Sequence, residues 1–189
     1  MKKACLLIYV IVCLVFGFQS TFALDYSTIT KNPKIIAALD SLDSINRRDV
    51  IAILYGRNNT KKPIRVMFRN LSVYGCDDCE ALTMKTRDGG LVIYINEQHK
   101  GASPECIACL LAHESQHHPF TNSKSEELRA WISETQAWNE LTKRNKSLAY
   151  STEPLAKREN YIAKIRANSG VAGIEKIIAS NPVYQGLID

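Results

Sequence analysis

In the stretch "CLLAHESQHHP", residues 109–119, His113 and His117 stand four residues apart with Glu114 directly after the first. On a helix, side chains at i and i+4 leave the same face one turn apart, so both imidazoles can meet a single zinc ion. Glu114 sits about 100° round the helix from His113, beside such an ion but outside the pair. Zinc lowers the pKa of a bound water and polarises a carbonyl, and a neighbouring carboxylate can take the water's proton and deliver it to a leaving amine. The pattern is short, and two helical histidines around a solvated glutamate would spell it without any metal.

An open catalytic zinc site needs a third protein ligand. Downstream, in "SEELRAWISETQAW", Glu127, Ala130, Trp131, Glu134 and Trp138 follow one helical stripe. Tryptophans on that stripe turn it inward, and buried carboxylates then require a metal, a cation or hydrogen bonds. Glu127 and Glu134 lie about 10 Å apart along the axis, so only one of them can ligate the same ion.

HExxH on one helix with a glutamate from the next resembles the gluzincin group of zinc metallopeptidases. The third-ligand glutamate of that group commonly begins an E-x-x-small motif, which Glu127-Leu128-Arg129-Ala130 matches. The resemblance covers residues 91 to 138. It implies a zincin-like domain with one catalytic Zn2+ on His113, His117 and Glu127. Glu134 is then the alternative third ligand or a support for a neighbouring base, and Glu114 is the general base. It also implies an edge strand above the metal that pairs with an extended substrate, for which "LVIYIN" is the candidate. Asn96 at its end is either a substrate contact or a turn residue. The group places a histidine, tyrosine or arginine over the developing oxyanion, and His118, His99, Tyr150 and Tyr161 are the candidates.

Cys76 and Cys79 in "CDDC" and Cys106 and Cys109 in "CIAC" qualify the metal reading. Cys109 and His113 are also i and i+4, so a closed structural zinc site with Cys76 or Cys79 competes with the open one. In an oxidising compartment disulfides are favoured instead. The expected arrangement joins "CDDC" to the start of the HExxH helix, closing a loop of roughly 30 residues worth on the order of 3 kcal/mol.

The elements that must position these residues follow from periodicity. Ile35 to Leu54 repeat at helical spacing and predict two helices broken near Asp43 to Asn46. Ile64, Val66 and Phe68 alternate with polar neighbours as a strand does, and "ALTMKT" and "LVIYIN" flank the turn "RDGG". Ser103 and Pro104 start a helix expected to reach about His118, with Pro119 stopping it. Ser123 or Ser125 opens the glutamate helix, and "PLAKRENYIAKIRA" and "GVAGIEKIIA" predict two more. The expected fold is α+β: N-terminal helices, a short, mostly antiparallel sheet, the HExxH helix, the glutamate helix and C-terminal helices.

Lys2 and Lys3 precede an apolar run from Ala4 to Phe18, and Thr21-Phe22-Ala23 supplies a small residue for cleavage. This predicts a signal peptide over residues 1–23, because the run is shorter than the ~20 residues of a membrane span. Residues 24–189 then form a single domain. Cleavage removes Cys5 and Cys13 and lowers the formal charge of +5 to about +3, too mild to argue for nucleic acid. Sequons occur at Asn58, Asn70 and Asn145. The expectation is a secreted or periplasmic, monomeric zinc peptidase acting on a peptide or protein substrate, free of the membrane once cleaved. The alternative is a secreted binding or structural module held by zinc or disulfides.

Overall fold

The computed structural model describes residues 24–117 and 123–187. The predicted signal peptide, His118 and Pro119 lie outside the described residues. Asn32 opens α1 (Pro33–Ser44) by accepting from the amides of Lys34 and Ile35 at 3.0 and 3.4 Å, with Pro33 at the first helical position. The predicted break falls at Asn46, which takes a left-handed φ of 60°, and α2 (Arg48–Leu54) follows. Ile35, Leu39, Leu42, Val50 and Leu54 are fully buried, as their spacing requires.

The sheet has three strands, β1 (Arg65–Arg69), β2 (Ala81–Lys85) and β3 (Leu91–Asn96), in the order β1-β3-β2. β2 and β3 form the predicted hairpin, with Thr83 opposite Ile93. Thr86 N–H donates to the Gly90 carbonyl at 3.0 Å, and Gly89 supplies the positive φ that the turn demands. β1 runs parallel to β3, with Val66 opposite Ile93, so the sheet is mixed rather than mostly antiparallel. Alternation in β1 determines which side chains face inward, but it carries no information on which strand lies alongside.

β3 is therefore the central strand, and the expectation that it forms the edge is corrected. β1 and β2 are the two edge strands, and Val66 N–H of β1 is already held by the Ile29 carbonyl at 2.9 Å. All six residues of β3 except Tyr94 are buried, the continuous apolar pattern of a strand covered by neighbours.

Ser103 accepts from the amide of Cys106 and Pro104 starts α3 (Pro104–Glu114), which ends four residues before the predicted His118. Its last turn tightens: Gln116 N–H bonds to the His113 carbonyl at 2.9 Å and His117 N–H to that of Glu114 at 3.2 Å. α4 (Lys124–Arg144) is capped by Ser123 and buries Trp131 and Trp138 as expected. The two C-terminal patterns form α5 (Pro154–Ser180), broken at Gly170, whose φ of 61° and ψ of −151° only glycine adopts freely. The fold is α+β, with α1, α2, the inner sheet face, α3 and α4 sharing one core and a smaller apolar cluster between α4 and α5. The sequon asparagines serve turns: Asn58 donates to the Ile53 carbonyl, and Asn70 and Asn145 each accept from an amide two residues on. Among the described residues no helix is long and apolar enough to cross a membrane.

Candidate metal centre

The tightened end of α3 keeps His117 beside His113, with ring centroids 5.2 Å apart. Glu127 enters from the first full turn of α4. Its Oε2 lies 3.7 Å from His113 Nε2 and its Oε1 lies 3.8 Å from His117 Nε2. Among the described residues this is the one group of His, Cys, Asp and Glu side chains whose ligand atoms converge, all within 4.8 Å of one another. Tetrahedral zinc with bonds near 2.05 Å separates its ligand atoms by ~3.3 Å, so atoms up to 4.8 Å apart would draw together by as much as about 1.5 Å around an ion.

The far nitrogens of both rings are also engaged. His113 Nδ1 is 2.9 Å from Glu134 Oε2, and His117 Nδ1 is 3.1 Å from Glu126 Oε1. A carboxylate on Nδ1 fixes the tautomer and leaves Nε2 as a lone-pair donor toward Glu127, the usual arrangement behind metal-bound histidines. Glu134 is fully buried and also paired with Arg158. Burial raises its pKa, but the charges of Arg158 and His113 outweigh this and hold the carboxyl well below the ordinary range. Arg158 in turn stacks 5.2 Å from the Trp131 ring and bonds to Glu159.

Glu127 has no such cation. Its Oε2 is buried and has no hydrogen-bond partner. Burial pushes its pKa up against the pull of His117 and His113. For His113, burial alone would lower the pKa, yet Glu134, and then Glu114 and Glu127, raise it overall. A cluster with excess negative charge and an orphaned carboxylate oxygen fits a bound divalent cation.

Glu114 is buried on the neighbouring face. Thr83 Oγ1, from β2, lies 2.7 Å from Glu114 Oε2 and 3.0 Å from its carbonyl oxygen, and its single proton serves one of them at a time. Edge strand β2 thereby touches the HExxH helix. His113 and Glu114 open onto a cavity of about 540 Å³ that Trp131, Arg158 and Tyr184 also line. Burial and the nearby Glu127 raise the Tyr184 hydroxyl to about 12, so it keeps its proton at neutral pH.

The other predicted residues fall elsewhere. Tyr150 and Tyr161 are exposed, and His99 is tied to Glu80. Asn96 is a turn residue: its amide group donates to the Cys79 carbonyl at 2.9 Å and its Oδ1 caps the turn that follows. Cys76 pairs with Cys79, while Cys106 and Cys109 are free and buried, so the clamp between "CDDC" and the helix is not formed. Burial pushes both free thiols well up, Glu153 and Glu159 adding to this at Cys106 and Glu159 and Glu134 at Cys109. Cys76 and Cys79 are spent on each other, so neither is a free thiolate for a closed zinc site with Cys109 and His113.

Sequence reading missed Thr83, Glu126, Arg158 and Tyr184. Glu126 adjoins Glu127 in "SEEL" and was the most accessible of these, since adjacent acids in a first helical turn can serve two histidines. The other three reach the site only through tertiary packing. No protein-family model, curated protein or solved structure matches this chain.

Proposed function

We propose that this chain is an exported zinc-dependent peptidase with a zincin-like centre, in which His113, His117 and Glu127 hold one zinc ion and Glu114 is the general base. The reading rests on one observation above all: the buried, unpartnered Oε2 of Glu127 faces imidazole nitrogens whose opposite atoms are already held by Glu134 and Glu126. Zinc there would supply an acidified water and a Lewis acid for the scissile carbonyl. The protein's own groups do the rest. Glu114, oriented through Oε2 by Thr83, takes the proton of the attacking water and delivers it to the departing amine. Protonated Tyr184 is a donor in the same cavity for charge developing on the carbonyl oxygen. The open edge of β2 can pair with the main chain of an extended peptide or protein substrate. The Cys76–Cys79 bond suits the oxidising compartment that the leader implies.

Glu114→Gln tests the mechanism. The variant is expected to retain one zinc per chain by elemental analysis while its peptide hydrolysis falls by about 10³-fold or more. Hydrolysis retained in a clean preparation sinks the assignment.

A further inference from the structure

The cavity beside the metal centre has an acidic wall that the hydrolytic mechanism does not use. Asp77 and Asp78 line it together with Glu80. Both aspartates are exposed, and among the described residues neither makes a side-chain hydrogen bond or ion pair. Their position is constrained. The Cys76–Cys79 bond closes the loop that carries them, Cys79 N–H returns to the Cys76 carbonyl at 3.3 Å, and Asn96 anchors the Cys79 carbonyl from β3. The acids therefore stand at a fixed rim.

Glu80 carries a charge on the same wall. Burial alone would raise its pKa, but His99 and then Arg158 outweigh that and hold it below its ordinary value. Among the described residues Arg158 is the one lysine or arginine lining the cavity, and its guanidinium is committed to Glu134 and Glu159. A substrate entering next to Glu114 thus meets three carboxylates with no free lining cation against them, and two of the three have no partner of their own. Low-dielectric walls concentrate such a field inside a cleft.

We propose that the Asp77-Asp78-Glu80 wall makes the cleft selective for substrates carrying a lysine or arginine next to the scissile bond. This rests on the peptidase reading for its hydrolytic step, but the charge selection is readable without it.

The test uses the zinc-loaded mature protein and matched peptides with Arg, Ala or Glu on either side of the cleaved bond. At low salt kcat/KM should favour Arg over Ala by about tenfold and disfavour Glu. In Asp77→Asn/Asp78→Asn the Arg-to-Ala ratio should fall to within about twofold, and the same collapse should follow from raising salt in the wild type. Both aspartates are exposed and unpartnered, so the double substitution removes no contact of the fold. A wild type without charge preference, or a preference that survives the double substitution, overturns the proposal. A second arm measures binding of the same peptides to zinc-loaded Glu114→Gln by fluorescence polarisation. Arg peptides that bind through Asp77 and Asp78 yet are never cut by the wild type would leave the selective cleft standing and remove the peptidase reading. Equal binding of all three peptides would remove the selectivity.

Discussion

Glu127 and Glu134 occupy the same stripe of α4, two turns apart, and both are buried, yet their surroundings are opposite. Around Glu134 every charge has an answer: Arg158 on one oxygen, the His113 ring on the other, and a carboxyl held firmly ionised. Around Glu127 one oxygen has no hydrogen-bond partner, and burial drives the carboxyl toward its neutral form. Two identical side chains on one face thus divide the labour. The acid already satisfied by protein holds the His113 ring, and the acid left unsatisfied is the one that the proposed metal would answer.

The sharpest way to break this comparison is to neutralise each acid and follow zinc and stability together. Glu127→Gln should cost the largest zinc affinity, roughly 10³-fold or more by competition with a chelating dye, because it removes a ligand. In metal-free protein the same change should raise stability by about 1 kcal/mol, since a buried carboxyl with one oxygen lacking a hydrogen bond disappears. Glu134→Gln should behave in the reverse manner: zinc affinity falls by about 10–100-fold, while metal-free protein loses about 3 kcal/mol because Arg158 is left with one fewer buried partner. Equal effects of the two variants on both readouts would erase the distinction.

The smallest expected effect comes from Glu159, the second acid on Arg158. It is fully buried with one oxygen unpartnered, and burial, reinforced by Glu134, raises its pKa well above the ordinary 4.5. A carboxyl with a raised folded-state pKa contributes stability that is intact below 4.5 and is lost as pH rises toward the folded value. The advantage of Glu159→Gln over wild type should therefore be least near pH 4.5 and widen by at most about 1.4 kcal/mol per pH unit above it, measured by urea melts. A gap that narrows with rising pH would mean that Glu159, not Glu134, is the ionised partner of Arg158.

The sequence was informative wherever a local rule governs. Asn32-Pro33 and Ser103-Pro104 mark helix starts, "RDGG" marks the hairpin, and the tryptophan stripe marks the inward face of α4. It was uninformative wherever a choice among distant partners governs. The strand period could not say that β1 would lie parallel to β3, and so β3 was expected at an edge where the structure places it at the centre. Four cysteines allow three pairings into two disulfides, among which sequence does not choose, and the bond within "CDDC" leaves the other two reduced inside a helix, where the expected oxidising compartment had favoured a clamp. Thr83, which bonds to Glu114, and Arg158, which reaches His113 through Glu134, lie 31 and 45 residues in sequence from Glu114 and His113 and carry no motif.

Residues four apart on a helix must share a face, so the meeting of His113 with His117 and the adjacency of Glu114 were determined by the sequence itself, through helix geometry. That Glu127 and not Glu134 closes the triangle was decided only in three dimensions. Helix packing placed Arg158 against one acid and, as the ion-pair partners among the described residues, two imidazoles against the other, and a buried carboxylate takes its role from whatever cation lies within reach.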